Sequence, residues 1–441
     1  MSSPAPKSAE AADASIRHWG VLGLLVFSVF LNYIDRSNLS TAAPLLKGEL
    51  GISASQLGIL LSAFFYTYFL MQPIAGWLAD RFHAGSLLAI GFAVWSVATM
   101  VTGALHGFAM LLAIRLVLGV GESVAYPSYS KIFATHFPQE TRGLANALIT
   151  TGLALGPAIG TFAGGVLMAR YGWRPFFVVL GMGSLLWLIP WLKWMPPKFP
   201  AKVSADTRVE AEPPKTDADP TILDILRHPS GWGTCIGQFC GNYFWYFLLT
   251  WLPFYLVRER SYSMDGMAKV GGIAYLLIAI FAGITGWVSD AWLRSGASPT
   301  VVRKSVVVVG HAISAVALGL CVVAPPKLSV ALLMLVSLGF GIYGSGQWIF
   351  PQTLGGPRAA GRWTGLQNFF GNMAGAVVPA VTGYIVQRTG HFFWAFEITA
   401  AVGVIGAFSW QFLVGRVEEV DWEQELKGSR ISPLDPGGEP A

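Results

Sequence analysis

The sequence predicts an all-α membrane protein whose twelve transmembrane helices form two pseudo-symmetric six-helix bundles. Three observations lead there. The chain is 54% hydrophobic and only 12% charged over 441 residues, whereas soluble domains carry about 25% charged residues. Apolar runs of about 20 residues recur from end to end, each long enough to cross a hydrocarbon core about 30 Å thick. Finally, Gly76-Trp77-Leu78-Ala79-Asp80 returns half a chain later as Gly286-Trp287-Val288-Ser289-Asp290. Repeated halves of this kind place a central site between two bundles.

The spans are expected to begin near Trp19, Gln56, Gly85, Phe108, Glu140, Arg174, Gly231, Lys269, Arg303, Leu328, Arg362 and Phe392. Residues 1–17 are polar and rich in Ser, Ala and Pro, and read as a disordered N-terminus. The first apolar run is too long for a signal-peptide core and lacks a small-residue cleavage site, so it should remain as the first span. The N-terminal bundle then covers 18–195 and the C-terminal bundle 229–416. Between them, 196–228 is Pro-rich and charged, a solvated linker with one short helix at Thr221 to Arg227. The tail at 417–441 is polar and rich in Pro and Gly, a loose end.

Basic residues set the expected orientation. With the N-terminus inside, 19 of the 29 Lys and Arg fall in inner segments and 8 in outer loops; Arg36 and Arg115 lie within spans. This bias puts both termini in the cytoplasm of a bacterial inner membrane. The net charge of +5 therefore carries no message about nucleic acid. Cys235, Cys240 and Cys321 sit in apolar runs with no CxxC pair, which suggests neither a disulfide framework nor a metal site. No nucleophilic triad, HExxH, Walker loop or dinucleotide fingerprint stands out, so no enzyme is expected.

Four charges interrupt the apolar runs: Asp35, Arg36, Arg115 and Glu122. An ionised side chain at mid-bilayer costs roughly 2.5–3.5 kcal/mol on insertion scales, so such residues usually serve function. Two acids and two bases can neutralise one another at rest and exchange partners with a proton or an anion, as in a coupled carrier. Arg115 and Glu122 are seven positions apart, on one helix face but about 10 Å apart along the axis, too far to pair closely. Glu122 is expected to bind and release a proton, with Arg115 tuning it or holding Asp35. Adjacent Asp35 and Arg36 point about 100° apart and cannot serve one partner. Arg36 is the better anion ligand, because its planar fork matches a carboxylate. Snorkelling of this pair to the interface is the bland alternative. Against it, Asn32, Tyr33 and Asn38 surround the pair with hydrogen-bonding groups.

Polar stripes mark further spans. Gln238 and Asn242 share a face of the seventh, and Gln367, Asn368 and Asn372 line the eleventh. Ser345, Gln347 and Trp348 interrupt the tenth next to Gly344 and Gly346, and Tyr66 and Tyr68 lie in the second. Amides also join membrane helices, so a single one carries little weight. Together they suit hydroxyl groups, and a Trp face suits the C–H side of a sugar. Gly152, Gly156 and Gly160 recur every four positions in the fifth span, a close-packing face, with Pro157 as a bend.

These motifs resemble a known family. Gly76-Trp77-Leu78-Ala79-Asp80-Arg81 is similar to the signature loop of the major facilitator superfamily, although the basic run that usually follows is reduced to Phe82-His83-Ala84-Gly85. Asn32 to Ser40, Arg115 to Glu122 and Tyr171-Gly172-Trp173-Arg174-Pro175 are similar to patterns of its anion:cation symporter branch, above all the sugar-acid:proton symporters. The resemblance implies the major facilitator fold and rocker-switch import of an organic anion such as a hexonate, hexuronate or aldarate. Protons would be the coupling ion, with no cofactor and no metal. It assigns proton coupling to Asp35 and Glu122 with Arg115, and the substrate carboxylate to Arg36. Tyr33, Tyr68, Gln238, Ser345, Trp348 and Asn368 would be further contacts, with Asn242 beside Gln238. Gly76, Asp80, Arg81 and Asp290 would form a conformational latch. The expected partners are a small organic anion, protons and the bilayer, with the chain as a monomer. Aromatic carboxylates such as phthalate, an efflux facilitator, and a transporter-like sensor are the alternatives.

Overall fold

The computed structural model describes residues 7–136, 139–195 and 220–422. Fifteen α-helices follow in order: α1 (Lys7–Leu50), α2 (Ala54–Arg81), α3 (Ala84–Thr102), α4 (Phe108–Ser123), α5 (Ala125–His136), α6 (Gln139–Tyr171), α7 (Trp173–Leu185), α8 (Leu188–Trp194), α9 (Ile222–Arg227), α10 (Pro229–Arg258), α11 (Met264–Arg294), α12 (Pro299–Val323), α13 (Pro326–Gly344), α14 (Ile349–Thr389) and α15 (Phe393–Phe408). A π-turn at Ser409–Leu413 closes the last. Among the described residues, eleven segments have the length and hydropathy a bilayer crossing requires. The 30-residue α10 is long enough too. Its Trp and Tyr residues and Asn242 lower its hydropathy, so it is not one of the eleven.

Two expectations about the termini need correction. The first helix begins at Lys7, inside the segment expected to be disordered, because Ala-rich sequence with few β-branched residues favours helix. The tail is not loose up to Trp422. The Val420 amide donates to Leu354 O (3.0 Å) and Trp422 Nε1 to Gly355 O (3.2 Å). The Val417 amide bonds Thr300 Oγ1 and the Gly415 amide bonds Ser230 Oγ. The reason lies in α14, whose backbone breaks at Gly356 (φ +55°). That break leaves the preceding carbonyls without helical partners, and the tail supplies them. Trp422 is 2% exposed and lies against Trp363. The short linker helix is present as α9, with a Thr221–Asp224 capping box. The linker before Pro220 lies outside the described residues.

Small residues set the helix spacing. Added Cβ atoms at Gly152, Gly156 and Gly160 of α6 would reach Val26 O (2.9 Å), Tyr33 Cβ (2.5 Å) and Ser37 Oγ (2.6 Å) of α1. The predicted close-packing stripe is therefore the α1–α6 contact, and it fixes the depth at which Tyr33 and Arg36 sit. Gly119 does the same for α4, where a Cβ would overlap Thr67 Oγ1 and Phe64 O of α2.

The two halves interlock at the end where α1 runs into α2. A Cβ on Gly58 would overlap Pro379 O, and one on Gly383 would lie 2.5 Å from Ala54 O. Gly165, Gly271 and Gly272 make similar approaches between α6 and α11. At the opposite end the side-chain directions of Gly76, Gly283, Gly286 and Gly365 meet open space, and Trp77 and Trp287 are 56% and 70% exposed. The seam is shut at one end and open at the other. Gly58→Val should prop the shut end apart. Overpacking of this kind costs about 1–3 kcal/mol, a shift of roughly five- to 150-fold in the closing equilibrium. Spin labels at Gly48 and Leu328, exposed on the two sides of that end, should report the longer distance.

Candidate substrate and coupling site

The centre of α1 is buried although it is polar: Asn32, Asp35, Arg36, Ser37, Asn38, Ser40 and Thr41 are all at most 5% exposed. Arg36 does not snorkel. Its Nε donates to Glu122 Oε2 at 2.9 Å, and Glu122 is fully buried. The guanidinium carbon lies 4.8, 5.0 and 4.5 Å from the ring centres of Tyr33, Phe64 and Tyr68. Arg36 is thus held by one carboxylate oxygen and a cage of aromatic faces, favourable for a desolvated cation.

The cage leaves hydrogen-bonding capacity unused. Among the described residues, Arg36 Nη2, Glu122 Oε1, both amide atoms of Asn32, the Tyr126 hydroxyl and both carboxylate oxygens of Asp35 are buried without a well-aligned partner, although Asn32 lies beside Glu122, Thr99 beside Asp35 and Tyr33 beside Tyr126. Buried polar atoms are normally satisfied, so such a cluster marks a place where function outranks stability. Arg115 lies over Phe64 at 5.3 Å and feels the charges of Glu122, Asp35 and Arg36. The four charges predicted from the sequence are therefore brought together, with the two arginines over Phe64 and Glu122 acting on both of them and on Asp35. The partner of Glu122 is Arg36 of another helix.

Sequence reasoning missed several members. Tyr126 and Tyr129 follow Glu122 at the fourth and seventh positions, one helical face, which was a readable signal. The Tyr129 hydroxyl pairs with Ser28 Oγ at 2.8 Å. Because Ser28 donates its single hydroxyl proton to Leu25 O, Tyr129 is the donor in that pair. Tyr246 of α10 meets Phe65 of α2 edge-on at 4.5 Å and donates to Asn372 Oδ1 at 2.9 Å. It joins the two halves across the seam, and nothing in its sequence context set it apart from other buried tyrosines.

The C-terminal half contributes an amide network. Gln238 Nε2 donates to Asn242 Oδ1 (3.2 Å), Gln367 Nε2 to Gln238 Oε1 (3.0 Å), and Asn372 Nδ2 to Asn368 Oδ1 (3.1 Å). Gln367 also donates to Gln347 O, in the turn between α13 and α14. That turn holds Ser345 and Trp348 near the amides, although the Ser345 hydroxyl is occupied by Ile342 O at 2.8 Å. Gly371 gives Asn242 and Gln238 room beside α14.

Among the described side chains, the latch residues are not gathered. Gly76 meets open space, because it lies at the open end of the seam. Asp290 accepts from Arg303 Nη2 (3.2 Å) within its own half, and Arg81 stacks on Trp77 at 5.5 Å. The Asp80 side chain lies outside the described residues.

Comparison with known proteins agrees with this architecture. Residues 25–379 match the family model of the Major Facilitator Superfamily. The chain is 29% identical over 428 residues to the D-galactonate transporter of Escherichia coli O6:H1, covering 93% of this chain and 98% of that one. It is 30% identical over 426 residues to the probable galactarate/D-glucarate transporter of Bacillus subtilis, covering 91% and 93%. In fold it resembles a bacterial homolog of the human lysosomal transporter Spinster in an inward-facing, unoccupied conformation. That match has a TM-score of 0.77 at 17% identity and covers 95% of this chain and 99% of the other. The chain is a transporter rather than an enzyme, and it belongs to the Major Facilitator Superfamily.

Proposed function

We propose that this protein is a secondary active transporter that imports a sugar acid, such as a hexonate, hexuronate or aldarate, by proton symport with rocker-switch alternating access. The observation that carries the reading is the caged Arg36–Glu122 pair, in which one guanidinium nitrogen and one carboxylate oxygen have no well-aligned partner among the described residues. A substrate carboxylate needs Arg36, and at rest Glu122 already occupies it. A proton on Glu122, with a second on Asp35, removes the competing charge and frees the fork for the anion. Proton and anion therefore favour the same neutralised cavity, which couples them. Importing a monoanion against an inside-negative potential costs about 2.3 kcal/mol per 100 mV, and one proton cancels that term. The amides of Gln238, Asn242 and Asn368, with Ser345, Trp348, Tyr33 and Tyr68, supply partners for sugar hydroxyls and ring faces. Arg115 holds the charge balance around Asp35 and Glu122.

In this reading α10 is the seventh of twelve spans, and the halves at 18–195 and 229–416 rock about the site. The chain works as a monomer in a bacterial inner membrane with both termini in the cytoplasm, where the open end of the seam faces inward. Gly76, Asp80, Arg81 and Asp290 close that end in the opposite state. The aromatic cage, with Phe65 edge-on to its Phe64, favours a second reading in which the cargo is an aromatic carboxylate. Uptake into vesicles separates the two. Labelled D-galactonate or D-glucarate should accumulate under an imposed inward proton gradient and stop with an uncoupler. Accumulation of phthalate alone would select the second reading, and indifference to the proton gradient would defeat the coupling.

A further inference from the structure

The shut end of the seam brings two cations together. Lys47 lies in the last turn of α1 and Arg258 in the last turn of α10, on opposite halves of the molecule. Both approach the ring of Phe254: Lys47 Nζ at 6.0 Å from its centre and Arg258 Cζ at 5.8 Å. Lys47 is part-buried and Arg258 exposed, and Arg258 is the charge acting on Lys47. Of the acids adjoining them in the chain, Glu49 is engaged by Arg174 and Trp173, and Glu259 by His391.

Like charges do not gather unaided at a contact that must form in every transport cycle. Each cation has the carbonyl end of its own helix as partial company, equivalent to roughly half a negative charge apiece. That leaves about one positive charge uncompensated across the two chain segments. Pro44 lies one turn before Lys47 and removes an amide from the helix, which loosens the end of α1 where it meets Phe254.

We propose that Lys47 and Arg258, over the ring of Phe254, form a binding site for one small monoanion at the shut end of the seam. The site lies apart from the Arg36–Glu122 cage and does not depend on proton coupling. The anion bridges the two halves and holds this end closed. When the end opens, the cations separate and the site is dismantled. Two sources share this chemistry: inorganic anions of the medium, and the carboxylate of the cargo on its way in or out.

The test uses full-length purified protein with spin labels at Gly48→Cys and Leu328→Cys, since the three native cysteines are buried. Chloride, acetate and D-galactonate are titrated separately, with ionic strength held constant by a bulky sulfonate, and melting temperature is recorded alongside label distance. Anion should shift the labels toward the short distance or raise the melting temperature. That response should be lost in Lys47→Gln and in Arg258→Gln and retained in Lys47→Arg. A response to chloride and acetate alike assigns the site to anions of the medium; a response to D-galactonate alone assigns it to the cargo. If the two residues merely cap their helices, the glutamine variants lose stability equally with and without anion. That result overturns the proposal, as does the absence of any anion effect on both readouts in the parent protein.

Discussion

Arg36→Lys should leave a folded protein that barely transports. Lysine keeps the positive charge beside Glu122 but loses the planar fork that matches a substrate carboxylate once protonated Glu122 releases it. A hydrogen bond to a charged group contributes about 1.5–3 kcal/mol, so apparent substrate affinity should fall roughly ten- to a hundredfold. Arg36→Ala should do worse. It removes one partner of a fully buried pair, which typically costs about 3–5 kcal/mol, and it empties a cage that three rings were built around. Equilibrium binding by calorimetry, paired with thermal unfolding, separates the two effects. A lysine variant with unchanged affinity would remove Arg36 from substrate binding.

Glu122→Gln should separate transport from its driving force. Glutamine keeps the shape of the side chain and can accept a hydrogen bond from Arg36, but it cannot take up or release a proton. Accumulation driven by an imposed proton gradient should fall to the equilibrium level, while exchange of labelled for unlabelled substrate continues. The dependence of exchange on external pH should flatten. Full gradient-driven accumulation by this variant would exclude Glu122 as the coupling group. Loss of exchange as well would mean that its negative charge is needed to keep Arg36 in place.

The charged members of this site were legible because a bilayer leaves few bland reasons for a carboxylate or guanidinium inside an apolar run. Asp35, Arg36, Arg115 and Glu122 could be read directly, as could the small-residue face of α6 that seats α1. What periodicity cannot supply is the rotation of one helix against another. The sequence therefore did not reveal that Glu122 pairs with Arg36, or that both oxygens of Asp35 lack a well-aligned partner among the described residues. Tyr126, Tyr129 and Tyr246 escaped for another reason. A buried tyrosine is ordinary in such a chain, and only its neighbours show whether its hydroxyl joins helices or lines a site. The tail escaped because its composition is that of a loose end, while its anchor is a helix break in α14 that depends on one glycine dihedral.

That anchor has a practical consequence for anyone handling the protein. Residues 415–422 finish the second half at the open end of the seam, supplying donors to the Leu354 and Gly355 carbonyls and covering Trp363 with Trp422. Affinity handles or fluorescent fusions belong after Trp422. Trimming back to Arg416 would instead strip the donors from two carbonyls and uncover a tryptophan beside Gly356.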